Sequence, residues 1–138
     1  MTSIDLTDLN ATRAFAIDFA RTLRPGDVVA LEGDLGAGKT TLVREIIDAL
    51  GGDPSQVSSP TFVIVHEYET PLCGVFHIDA YRIDAISLES IGFAELLEQR
   101  AIILIEWPSR VREALPTKLI ELAIEVVGET ARRVVVRR

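Results

Sequence analysis

Apolar residues recur along the chain with two periods, and the alternation between the periods sets out the elements. Phe15, Phe19 and Leu23 stand four apart, which predicts one face of a helix running to about Leu23. Thr7 and Asp8 can cap its start, and Pro25-Gly26 ends it. "DVVALE" (27–32) reads as a short buried strand. "TTLVREIIDAL" (40–50) returns to helical spacing, with Leu42, Ile46, Ala49 and Leu50 as its stripe and Gly51-Gly52 as its stop. A strand is expected after Pro60, then a turn at "PLCG" and a return strand, "VFHIDAY". Two short helical pieces follow, around "LESIG" and "FAELLEQ". "AIILIE" (101–106) is apolar without alternation, as in a strand covered on both faces. "KLIELAIEVV" and "RRVVVRR", separated by "GETA", predict a terminal hairpin.

Strands alternating with helices, plus two hairpins, predict an α/β fold. We expect a three-layer P-loop NTPase-like sandwich, with a central mixed parallel and antiparallel sheet and flanking helices. The 138 residues suit a single domain, 1–138, and 48% apolar content is that of a globular chain. No apolar run is long enough for a membrane span. The polar start "MTSIDLTDLNATR" does not resemble a signal peptide, and the single cysteine, Cys73, reads as a small turn or core residue. The expected location is the cytoplasm. A net charge of −7 argues against a chain whose main task is gripping RNA. Arg132, Arg133, Arg137 and Arg138 gather at the end. They fit either a charged, solubilising edge strand or a contact surface for a nucleotide or partner.

The stretch "GDLGAGKT", Gly33 to Thr40, fits G-x-x-x-x-G-K-[ST] and lies between a predicted strand and a predicted helix. Each residue type has a physical reason. A polyphosphate must be met by several backbone N–H groups, and side chains would block that approach. The helix starting near Lys39 adds the positive end of its dipole. Lys39 brings a full charge to the β and γ phosphates, and the Thr40 hydroxyl suits Mg²⁺. Thr41 either offers a second hydroxyl to a phosphate or caps the helix. Asp34 and Leu35 are variable positions with no assigned side-chain chemistry.

Hydrolysis needs a carboxylate beside the metal and a means to position water. Glu106 ends "AIILIE", at the strand edge where open α/β sheets bind ligands. Asp79 ends the strand carrying "HIDAYR", with His77 two residues earlier on the same face. His77 fits a packed strand histidine better than a catalyst, and His66 reads as solvated. Thr61 in "SSPTF" is a candidate switch residue that senses the γ-phosphate. Trp107-Pro108 follows Glu106 directly; the indole suits shielding of the phosphate site, a partner contact or core packing.

Taken together, "GDLGAGKTT", "SPTF", "HIDAYR" and "IEWP", in this order and spacing, resemble the TsaE family of small bacterial P-loop ATPases, also called YjeE. The resemblance runs from about Asp8 to the terminal hairpin and includes "ESIGFAELLE". It implies an ATP-binding and ATP-hydrolysing subunit, acting with TsaB and TsaD to make N6-threonylcarbamoyladenosine beside the tRNA anticodon. TsaD would perform the transfer, and tRNA contact would be mainly the partners' task. It further implies that ATP is held by Gly33, Asp34, Leu35, Gly36, Ala37, Gly38, Lys39, Thr40 and Thr41. Thr40 and Glu106 would form the Mg²⁺ side, Asp79 would support hydrolysis, and Thr61 would belong to the switch. Leu9 in "DLNAT" and Arg132 in "GETARR" are implied nucleotide contacts. Two departures bear on partner docking: Ala80 where the family has a large apolar residue, and a sequence stopping at Arg138 where many relatives run on. Alternatives are a stand-alone small-molecule kinase, for which no Arg-rich lid segment is evident, and an assembly module with incidental turnover.

Overall fold

Two strands with almost no polar residues occupy the middle of the sheet. They are β2 (Val28–Glu32, "VVALE") and β5 (Ile102–Glu106, "IILIE"). In the computed structural model, which describes residues 2–34, 36–57 and 64–138, β5 is buried from end to end. The other strands are β1 (Thr2–Leu6), β3 (Val65–Glu69), β4 (Gly74–Asp79), β6 (Ile120–Val126) and β7 (Arg132–Arg137). Among the described residues they form one seven-stranded sheet in the order β1-β7-β6-β2-β5-β4-β3. β2 pairs parallel with β5 and β6, and β4 with β5, while β1/β7, β6/β7 and β3/β4 are antiparallel.

Helices cover both faces. α1 (Leu9–Ala20) begins at Asp8, whose Oδ1 accepts the Ala11 N–H at 2.8 Å. It packs with α2 (Lys39–Ala49) over one face, where Phe15, Phe19, Leu42, Ile46, Val29, Leu31 and Leu104 join one apolar cluster. α3 (Ala85–Ser90), α4 (Phe93–Glu98) and the 3-10 turns at Pro108–Arg110 and Arg112–Ala114 lie with the other face, where Phe76, Ile78, Leu88, Phe93, Ile103 and Val111 cluster. The strand pleat makes this division: Leu31 and Leu104 face α2, while Ala30 and Ile103 face α3 and α4. The expected three-layer mixed α/β sandwich is what the chain forms. No helix among the described residues is long and apolar enough to cross a membrane.

Several local expectations need correction. The opening residues pair as β1 on β7, so the arginine-rich β7 is not the sheet edge. The pairing joins Arg133 to Asp5 at 2.9 Å, a cross-strand complement that local polarity did not reveal. On α2 the buried stripe is Leu42, Val43, Ile46 and Ile47, and Ala49 is exposed; two packed partners, α1 and the sheet, widen the apolar face. The α1 helix ends at Ala20 rather than Leu23, yet Leu23 is buried beyond it. Ala80 is fully buried in the cluster with Leu88, so its small size bears on packing. Cys73 stands in the β3–β4 turn, its N–H directed at the Thr70 hydroxyl.

Candidate functional site

The loop after β2 carries its glycines for steric reasons. A Cβ on Gly33 would come within 3.0 Å of the Ile124 carbonyl oxygen on β6, so a side chain there would push the loop off the sheet. Gly38 has φ of 102° and is the residue from which α2 begins, a backbone state that L side chains rarely adopt. Among the described residues no side chain caps α2, which leaves first-turn N–H groups turned to the loop and available to an anion. Thr41 is therefore not the cap. It lines a cavity instead.

Lys39 is buried although it is the first residue of the helix. Its ammonium donates to the Gly33 carbonyl and, at 3.3 Å, to the Asp34 carbonyl. It also lies 3.9 Å from the centre of the Trp107 ring, a cation–π contact. Burial lowers the Lys39 pKa, opposed by the charges of Glu106, Glu32, Asp79 and Asp34. Trp107 is held by a turn out of β5 with φ of 59°, a conformation costing on the order of 1–3 kcal/mol for a non-glycine residue and typical of functional sites. Tyr81 packs against it with the rings tilted and their centres 4.9 Å apart, and the Arg110 guanidinium lies over Tyr81.

The two expected acids come together. Asp79 and Glu106 are Cα partners at the ends of parallel strands β4 and β5. The pleat carries both on the α2 face, next to the loop. Tyr81 N–H donates to Asp79 Oδ1 at 2.9 Å, and burial, with Glu106 adding to it, raises the Asp79 pKa against that bond. Glu106 is 3% exposed, and its Oε2 lies 2.6 Å from Nε2 of His77, itself 1% exposed. His77 is thus packed, as read from the sequence, but it also grips a site carboxylate. The pattern put His77 and Asp79 on one face; only the register of β4 against β5 brings His77 to Glu106. Glu32 was not weighed in the sequence, although it ends β2 just as Glu106 ends β5. His66 is not solvated at its tip: His66 Nε2, Tyr68 OH and His77 Nδ1 are buried without hydrogen-bond partners among the described residues.

On the other side of the loop, a cavity of about 520 Å³ is bounded by Leu6, Leu9, Ala37, Thr41, Ile124 and Arg132, among others. Arg132 Nε donates to the Ala37 carbonyl at 3.0 Å, tying β7 to the loop. Leu9, 63% exposed, lies open on the cavity wall. Thr40, half-buried, follows Lys39 in the first turn of α2. Leu35 and Thr61, with the whole "SSPTF" stretch, lie outside the described residues.

This chain also matches known proteins. Residues 6–134 match the family described as "Threonylcarbamoyl adenosine biosynthesis protein TsaE". The chain belongs to the TsaE family. A relative from Rickettsia prowazekii, named tRNA threonylcarbamoyladenosine biosynthesis protein TsaE, is 40% identical over 128 residues, 92% of this chain and 88% of its own. The Bacillus subtilis protein of the same name is 37% identical over 123 residues, covering 89% and 77% of the two chains. A crystal structure of YdiB from Bacillus subtilis superposes with a TM-score of 0.80 at 29% identity, covering 98% of this chain and 83% of that one. The TsaE family is involved in tRNA threonylcarbamoyladenosine biosynthesis, and the family resemblance drawn from the four motifs is borne out.

Proposed function

We propose that the protein binds ATP with Mg²⁺ and hydrolyses it as the TsaE subunit of a tRNA-modifying assembly with TsaB- and TsaD-like partners. The observation that carries this is the meeting, at one sheet edge, of the Gly33–Thr41 loop with Asp79 and Glu106 in register on neighbouring strands. The donor set fits magnesium: Thr40 offers a hydroxyl and Glu106 a carboxylate oxygen, hard ligands of the kind that ion takes. Charge argues the same way. Four acids act on the single Lys39, so a tetra-anionic nucleotide would meet repulsion there unless a divalent cation accompanied it.

In this reading the loop amides and Lys39 hold the phosphates, and the cavity of Leu9 and Arg132 takes the nucleoside. Asp79 keeps Oδ2 for the attacking water and receives its proton as the water oxygen bonds to the γ-phosphorus. The bridging P–O bond breaks, and ADP retains the electron pair. Magnesium, when bound, supplies neutralisation of the phosphate charge. The net charge of −7 agrees with leaving tRNA contact mainly to partners.

The test is phosphate release from MgATP with and without the TsaB–TsaD pair. Strong stimulation by the pair is expected. Phosphate appearing on an added small molecule would mark a kinase instead, and no hydrolysis even with the pair would leave only a nucleotide-binding module.

A further inference from the structure

The His77–Glu106 contact does work that packing alone does not explain. Its neighbours on the α2 face of the sheet, Val75, Ile102 and Leu104, are apolar and fully buried. An apolar residue at position 77 would continue that surface, at the cost of leaving the buried Glu106 carboxylate without this bond. The imidazole instead leaves Nδ1 buried without a partner among the described residues, a deficit costing about 1–3 kcal/mol. What it gains is one bond of 2.6 Å between side chains that are 0% and 4% exposed. A glutamate on an isolated strand end can rotate about three side-chain torsions. Glu106, held through Oε2 by a ring that is itself stacked on Tyr68 and tilted against His66, each at 6.4 Å, cannot. With Oε2 so engaged, Oε1 is the oxygen better placed to meet another ligand.

We propose that His77 is a positioning residue, which clamps Glu106 by one oxygen so that the other is presented to the divalent cation accompanying the nucleotide. The inference rests on the magnesium-nucleotide function proposed above. Partners that orient a metal-binding carboxylate or imidazole typically govern metal affinity or activity by about 10–100-fold.

Trp107 is the only tryptophan in the chain and touches Lys39, so its fluorescence reads the site without turnover. The experiment titrates MgCl2 into each protein at fixed ATP, and ATP into each protein in EDTA. His77→Phe keeps the ring volume and loses the bond; His77→Gln keeps an N–H donor and loses the ring. We expect His77→Phe to raise the half-saturating Mg²⁺ at least about tenfold while Mg²⁺-free ATP affinity stays within about twofold. His77→Gln should restore most of the Mg²⁺ response. A packing role predicts the reverse ranking, with Phe benign and Gln impaired, and that ranking overturns the proposal. An unchanged Mg²⁺ requirement in His77→Phe overturns it as well. Should the phenylalanine variant fail to fold, the glutamine variant decides alone: a folded His77→Gln protein that has lost the Mg²⁺ response refutes the clamp. A wild-type protein showing no Mg²⁺-dependent response to ATP would instead defeat the proposed function itself.

Discussion

The two sides of the Gly33–Thr41 loop are built on opposite plans. On the β4–β5 side, Lys39, Glu106 and His77 are buried charged or polar groups, each held by a specific contact. On the β6–β7 side, an open cavity has Leu6, Leu9, Leu42 and Ile124 on its walls, and Arg132 reaches the loop from the hairpin. The first side is fixed in advance, and its groups are costly to bury unless they are paired. The second is adaptable, and each contact there contributes little by itself. Chemistry on a phosphate requires fixed charges at fixed places, whereas a flat nucleoside needs mainly a dry surface and one or two polar anchors. Substitutions should therefore have large, role-specific effects on the first side and small, graded effects on the second.

The largest effect is expected at Lys39. Lys39→Ala removes the only side-chain cation buried within the loop, and with it charge-assisted bonds worth ~1.5–3 kcal/mol each. ATP affinity, measured by calorimetry, should fall at least about 100-fold. Affinity close to wild type would mean that the phosphates bind elsewhere. Next is Glu106→Gln. Mg²⁺-dependent phosphate release should fall by about 10–100-fold, with Mg²⁺-free ATP affinity nearly unchanged. Equal loss of both would make Glu106 a structural element of the loop and remove the distinction between binding and turnover on this side.

This contrast also explains what could be read from the sequence. The loop, its flanking strand and helix, and the two strand-end acids were all legible, because each is a local pattern: glycines at fixed spacing, or an acid closing an apolar run. β1 was not legible, since "TSIDL" becomes a strand only through its pairing with β7, and strand formation depends on context. The grip of His77 on Glu106 was hidden for the same reason. The two residues are 29 apart in sequence, and nothing in either local pattern sets the register of β4 on β5. Arg132 illustrates the middle case: the resemblance pointed to it, but its bond to Ala37 crosses 95 residues. Pairwise contacts between distant strands, above all polar ones, are what local periodicity leaves out.

Asp79 tests whether the fixed side is held at a cost to stability. Its folded pKa lies above the ordinary value, chiefly through burial. A carboxyl raised in the fold contributes stability that is complete below its unfolded pKa and is lost as pH rises through the folded one. Above the unfolded pKa the raised carboxyl therefore opposes folding, relative to a neutral side chain in its place. Asp79→Asn should slow hydrolysis by about 10–100-fold, up to the lower end of what a positioned general base contributes, and leave ATP binding intact. It should also raise the melting temperature by about 2–4 °C, the shift that ~1 kcal/mol produces in a domain of this size. The stability gain should be present in neutral buffer and vanish in acid, where the wild-type carboxyl is protonated as well. Unchanged turnover would reassign Asp79 to the Tyr81 turn alone.

The smallest effects belong to the open side. Arg132→Ala removes one bond to the Ala37 carbonyl, so the loop keeps its glycines, Lys39 and helix start. An exposed or half-buried bond of this kind contributes about 0.5–1.5 kcal/mol, so ATP affinity should weaken by about 2–10-fold. Leu9→Ala should do less still. The residue is 63% exposed before any ligand arrives, and truncating it removes only part of one wall at about 25 cal/mol per Å² of apolar contact. A loss of about twofold is expected for ATP and none for inorganic triphosphate, which has no base to seat. That pairing of ligands locates the nucleoside. If triphosphate and ATP weaken together in Leu9→Ala, the cavity is not where the base lies, and the division of the site into a fixed and an adaptable side fails at its weaker half.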